Sequence, residues 1–237
     1  MKRDHSPVLP GDGATDYARY MRTDALLELQ RRPEQMIHRD ELLFQVVHQS
    51  TELWLKLAGA ELAEAGARVA ADEPAAAEPL LDRATLGVRL VTDQLEMFRH
   101  LPPAAFQAMQ PALGTGSGAE SPGWRGVQAG SRKLDRAFTD HLARRGTDLS
   151  TLLRADPTDP AHRLAEAMVE WDERVAFWRV RHYQAAIRVG GHGVAGTEGS
   201  PANMLARLID HRFFPELWQA RVAPATPAEG ILHPERP

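Results

Sequence analysis

The sequence predicts an all-α fold, on three observations. Apolar residues recur at spacings of three and four over several long stretches, the period of a helix with one buried face. No stretch alternates apolar and polar residues as a half-buried strand does. Cap and stop residues stand at the ends of the periodic stretches: Thr15 and Asp16, Asp40 and Glu41, Gly190 and Gly191, Ser200 and Pro201. The chain has 237 residues, 43% of them hydrophobic, and no Gly/Ser/Pro linker divides it. One core is therefore expected over residues 15–222, between a disordered arm (1–14) and a mobile tail (223–237).

Thr15 and Asp16 offer N-cap oxygens to a first helix that carries Tyr17, Tyr20 and Met21 on one side, with Leu26, Leu27 and Leu29 following. Asp40 and Glu41 open a long helix over residues 40–71, their charge suiting the positive end of the helix dipole. On that helix Phe44, His48, Thr51 and Leu55 share a face. A third helix is expected from about Pro79 to Arg99, with Leu86, Val88, Leu90, Val91, Leu95 and Phe98 in its core. Pro102 and Pro103 restart the chain as a short helix. Gly and Ser dominate from Gly114 to Gly126, so a long loop is expected there. It lacks the pattern of a nucleotide-phosphate cradle. A helix over 129–145 and a turn from Asp156 to Pro160 lead to the last long helix.

That helix, residues 168–189, carries Met168, Trp171, Val175, Trp178, Ala185 and Val189 on one stripe, interrupted once by His182. A buried imidazole with an unpaired ring nitrogen costs about 1–3 kcal/mol, so His182 needs a partner. A core carboxylate or carbonyl would serve, and so would a metal or haem iron. A second histidine on an apolar stripe, His48, moves the reading toward a cofactor pocket lined by both helices.

Composition narrows the chemistry. The net charge is −4 and only three lysines occur, which is neither a nucleic-acid nor a membrane-surface balance. Cysteine is absent, excluding disulfides, Cys-ligated zinc, iron-sulfur clusters and thiolate-bound or covalently attached haem. The polar N-terminus has no apolar signal region, and no run approaches the roughly eighteen residues of a membrane span, so a cytoplasmic protein is expected. Glu-x-x-His pairs and HExxH are missing, which leaves out carboxylate-bridged dimetal sites and zincin-like sites. A single iron ligand on the last long helix, with a porphyrin supplying four more, is the arrangement that survives.

At this point the residues carry a resemblance. The run HRDELLFQVVHQSTELWLKLAGAEL resembles the signature helix of the tryptophan 2,3-dioxygenase family, and WRVRHYQAAIRVGGHGVAGTEGS resembles that family's haem-ligand helix and substrate loop. DYARYMRTDALLELQ, LPPAAFQAMQPALGTGSG and FFPELW are similar to its N-terminal, mid-chain and C-terminal segments, in the same order.

The resemblance implies a helical haem-binding bundle with haem b and dioxygen as co-substrate. It makes His182 the iron ligand and His48 the histidine near the indole nitrogen. Phe44 would pack on the substrate ring, and Tyr17, Tyr20 and Met21 would close the pocket from a neighbouring subunit of a homotetramer, a dimer of dimers. Thr197 would meet the substrate's ammonium or the haem edge, and Ser117 and Trp178 would lie near the haem. The implied reaction is oxidation of an indole ring of tryptophan or a derivative, opening it to an N-formylkynurenine-type product.

The chain departs from the family at two substrate-binding positions, carrying Phe106 and Gln110 in place of a tyrosine and a carboxylate-clamping arginine. Glutamine cannot supply the charged, bidentate pairing of arginine. A modified aromatic without a free carboxylate is then a natural substrate, unless Arg125 or Arg19 provides a displaced clamp. Single-atom insertion by a mono-oxygenase and a haem sensor without turnover are the alternatives.

Overall fold

The computed structural model describes residues 7–114, 116–191 and 206–222, and among them only helices, turns and coil occur. Two short helices, α1 (Asp16–Met21) and α2 (Thr23–Glu28), precede the long α3 (Glu41–Ala70) and α4 (Pro74–Gln94). A 3₁₀ helix over Leu95–His100 leads to α5 (Pro103–Met109), and then come α6 (Pro122–Arg144), α7 (Leu149–Arg154), α8 (Pro160–Gly190) and α9 (Pro215–Val222). Helix α3 packs along both α4 and α6, and α4 packs along α8.

The main core runs through these four long helices. Leu55, Leu62, Leu81, Val88, Leu134, Leu164, Met168 and Trp171 are fully buried in it. Truncating one such leucine to alanine costs about 2–5 kcal/mol. A smaller cluster lies at one end of the bundle, where Val47, Leu95, Phe98, Leu101, Ala105, Met109 and Val189 bring together α3, the 3₁₀ helix, α5 and α8. Phe44, Phe106, Trp178 and Ala185 pack at its margin.

Glycine lets α3 and α6 approach closely. A Cβ added to Gly59 would stand 3.1 Å from the backbone of Gly126, and one on Gly123 would stand 2.6 Å from Leu55 Cβ. These glycines are a packing device, which corrects the loop expected up to Gly126: Ser121 caps a helix that begins at Pro122, its side chain accepting from the Trp124 amide. Helix α4 also begins earlier than expected. Pro74 takes its first position and the alanines after it are strong helix formers, so Pro79 lies inside the helix. The α-helix then gives way to 3₁₀ geometry at Leu95, and Leu86 falls on the exposed side, off the face set by Ala84, Val88 and Val91.

Helix α8 starts at Pro160, well before the apolar stripe begins. Asp159 accepts from the Ala161 and His162 amides at 2.7 and 3.3 Å and pairs with Arg145 at 2.8 Å. Midway along α8 the buried carboxylate of Asp172 accepts from the Phe213 and Phe214 amides at 2.7 and 3.1 Å and from Trp218 Nε1 at 3.0 Å. It thereby fastens the C-terminal segment to the bundle. Within the arm expected over 1–14, Gly11 donates to the Arg19 carbonyl and Arg19 reaches the Gly13 carbonyl, so the end of that stretch lies against α1. Thr197, the glycine-rich stretch after Gly191, the cap expected at Ser200 and the tail beyond Val222 lie outside the described residues. No described helix is long and apolar enough to cross a membrane.

Candidate active site

The two histidines singled out by the sequence stand on different helices beside the small cluster at one end of the bundle. His48 stands on the second turn of α3, its Nδ1 2.8 Å from the carbonyl of Phe44 one turn back. That contact makes Nδ1 the protonated nitrogen and leaves Nε2 with its lone pair. The imidazole lies 4.2 Å from the Phe44 ring and 5.7 Å from that of Phe98, centroid to centroid. Phe44 in turn lies 6.1 Å from Phe98 and 6.0 Å from Phe106. Three phenyl rings and one imidazole thus form a continuous aromatic surface. Hydrogen bonds hold it in register, with Gln94 at the end of α4 accepting from Ser50 at 2.7 Å and donating to Thr51 at 2.6 Å.

His182 stands on α8, stacked on Trp178 with ring centroids 4.8 Å apart and planes 8° from parallel. Trp178 packs its other surroundings against Trp124 of α6, at 4.2 Å. The Trp178 indole nitrogen is buried without a hydrogen-bond partner among the described residues, and no hydrogen bond joins the half-buried His182 imidazole to a described residue. Burial pushes the His182 pKa down to about 4, and the nearby His48 imidazole pushes the same way. His48 is also lowered, by the protein packed around it, against the opposing pull of the Phe44 carbonyl and Glu52. Solvent still reaches the His48 ring. Both imidazoles are neutral near pH 7, each keeping a nitrogen lone pair.

Two further groups hold these aromatics. Glu52, one turn beyond His48 on α3, accepts from the Ser121 hydroxyl and, at 2.8 Å, from the Gly123 amide. Ser121 accepts from the Trp124 amide at 3.1 Å, so the start of α6 and the ring against Trp178 are set from α3. Ser121 before Pro122 is a local cap pattern, but its Glu52 partner lies far away in the chain. Phe98 and Trp124 were expected in the core and in a loop, and both border the site.

A family model described as tryptophan 2,3-dioxygenase matches residues 4–133, more than half of the chain. Proteins named tryptophan 2,3-dioxygenase from Kineococcus radiotolerans and Myxococcus xanthus are 30% and 28% identical. The first alignment covers 86% of this chain and 90% of that protein, and the second 93% and 94%. The chain belongs to the tryptophan 2,3-dioxygenase family. The similarity spans both site helices, since coverage of this extent takes in α3 and α8 together.

Other residues expected at a tryptophan 2,3-dioxygenase site fall as follows. Phe106 and Gln110 are half-buried on and after α5, with Phe106 in the aromatic surface. Ser117 caps a 3₁₀ turn over Gly118–Glu120, its side chain accepting from the Ala119 amide. Tyr17, Tyr20 and Met21 are 67%, 65% and 53% exposed on α1, so this chain alone does not fold them into its own site. Arg19 is engaged with Asp16 and the Gly13 carbonyl, and Arg125 is exposed in the first turn of α6.

Proposed function

We propose that this chain is a haem-dependent oxygenase acting on tryptophan or another indole, with His182 as the iron ligand and His48 as the histidine facing the substrate. The observation that carries this reading is the pairing of two neutral imidazoles, one of them unpartnered, across an aromatic-lined bundle end. The residues fit the cofactor. His182 offers a lone pair in an apolar setting, and Trp178 beside it has an indole N–H awaiting an acceptor. Among the described residues no three His, Asp or Glu side chains gather around one point, so an iron there would bring most of its ligands with it. Haem b, when bound, supplies the redox chemistry that activates dioxygen.

The chain's own residues do the rest. Phe44, Phe98 and Phe106 offer aromatic faces to a flat apolar ring and keep water from it. His48, with Nδ1–H fixed on the Phe44 carbonyl, accepts the indole N–H through Nε2 and orients the ring. Ser117 and Trp178 border the cofactor. Gln110 contacts the polar end of the substrate without supplying a charge, which favours an amide, ester or decarboxylated indole over the free amino acid unless another side chain supplies that charge. Thr197 is assigned to the substrate's ammonium or the haem edge on the family resemblance alone. The exposed apolar side chains Tyr17, Tyr20 and Met21 close the site of a neighbouring copy in a cytoplasmic homotetramer built as a dimer of dimers.

Product mass with ¹⁸O-labelled dioxygen tests the reaction. Two labelled atoms in a ring-opened product are expected. One labelled atom would assign a mono-oxygenase, and an oxygenated form whose decay no indole accelerates would assign a sensor. A purified, haem-supplied protein with no Soret band would end the proposal.

A further inference from the structure

Beside the two-histidine site, between the 3₁₀ helix over Leu95–His100 and the last turns of α8, lies a cleft of about 470 Å³. Phe98 and Ala185 form part of its wall. Both also belong to the small cluster at the bundle end, and Phe98 turns its ring to within 5.7 Å of His48. The rest of the lining is mostly charged: Arg99, Arg181 and Arg188, with Glu96 and Gln184.

The charges do not balance. Glu96 is the one carboxylate in the lining, and it is shared, meeting Arg99 at 3.2 Å and Arg181 as well. Arg181 also donates to Gln184 at 3.1 Å. Arg188 has no hydrogen-bond or ion-pair partner among the described residues. Three guanidiniums face one carboxylate in a cavity that opens beside an aromatic site, and guanidinium is the side-chain group best matched to a carboxylate.

From this arrangement we infer that the cleft is a carboxylate-binding vestibule: a planar aromatic ligand held between His48 and His182 extends a carboxylate past Phe98 onto Arg188 and Arg99. The inference rests on the proposed haem-oxygenase reading for the identity of that ligand, and the carboxylate has two sources, the macrocycle's own acid groups or an acidic substrate. In the second case the vestibule supplies the charge that Gln110 lacks.

The test uses Arg188→Gln and Arg99→Gln in the full chain, both changes at the rim, with circular dichroism to establish that the fold is kept. Four probes separate the sources: ferric haem, its dimethyl ester, indole-3-propionate and the corresponding alcohol, the last two titrated into haem-loaded protein. Loss of a charged hydrogen bond is expected to weaken the affected acid about tenfold or more, and the loss should shrink at high salt. Weaker binding of haem with unchanged binding of its diester assigns the vestibule to the macrocycle. Weaker binding of the indole acid with unchanged binding of the alcohol assigns it to the substrate. Unaltered affinities for all four, with a normal Soret band, would overturn the vestibule and leave the oxygenase reading standing. A wild-type chain that takes up no haem would overturn both.

Discussion

The imidazole of His182 lies flat against the indole of Trp178, 4.8 Å away and within 8° of parallel, one turn apart on the same helix. Such a stack fixes the ring's rotation about its own axis as well as its position. Trp178→Ala should therefore leave α8 in place and let the imidazole swing, weakening ferric haem binding by about fivefold, as a lost aromatic pair of roughly 1 kcal/mol would. Trp178→Phe should restore most of the affinity. Equal haem affinity in all three proteins, measured by spectral titration, would show that the stack has no part in holding the ligand.

The two histidines are predicted to fail differently. His182→Ala removes the only imidazole of α8 that stands on the apolar stripe, and stable haem uptake should be lost, seen as absence of the Soret band. His48→Ala should retain haem and lower kcat by about 10²-fold or more, the scale of a positioned proton acceptor. Wild-type turnover in His48→Ala would remove His48 from the site.

The long helices were legible because their apolar spacing is sustained over many turns, and α3 and α8 bear out the all-α expectation most closely. What misled was composition read without neighbours. Gly123 and Gly126 look like loop residues until α3 is placed against them, and Pro79 looks like a helix start until Pro74 is seen to occupy that role. The site shows the same division. His48 and Phe44 are one turn apart and readable from spacing, whereas the Glu52–Ser121 link spans 69 residues and leaves no local trace. Tyr17, Tyr20 and Met21 enter the reading only through resemblance, since they stand exposed among the described residues.

Glu52 offers a test of that long-range link. Replacing it with alanine strips the acceptor from the Ser121 hydroxyl and the Gly123 amide, and a buried donor left unsatisfied costs about 1–3 kcal/mol. Thermal unfolding should show a lower Tm, and tryptophan fluorescence should report a loosened Trp124 at the start of α6. Gly123→Ala should destabilise to a similar degree, about 1–3 kcal/mol, for a different reason: its Cβ would stand 2.6 Å from that of Leu55. The two variants share Glu52 and Gly123 as contacting partners, so their combined effect should fall short of the sum.

Acid should unfold the cofactor-free protein earlier than its carboxylates alone would require. His182 titrates at about 4 in the folded chain against its ordinary 6.5, because burial and the neighbouring His48 disfavour the imidazolium. An unfolded chain accepts that proton at the higher pH, so the stability associated with a neutral His182 is complete above about 6.5 and is lost as the pH falls toward 4. His48, lowered in the same direction, adds to the slope. Asp159, held far below the usual carboxylate range by Arg145 and by the amides of Ala161 and His162, gives way only at still lower pH. Across the histidine window the loss should reach up to about 3 kcal/mol for His182, measured as unfolding free energy in urea at a series of pH values. His182→Phe keeps a ring against Trp178 and has nothing to protonate, so its stability should fall less between pH values of about 6.5 and 4. Parallel curves for the two proteins would mean that His182 does not carry the shift.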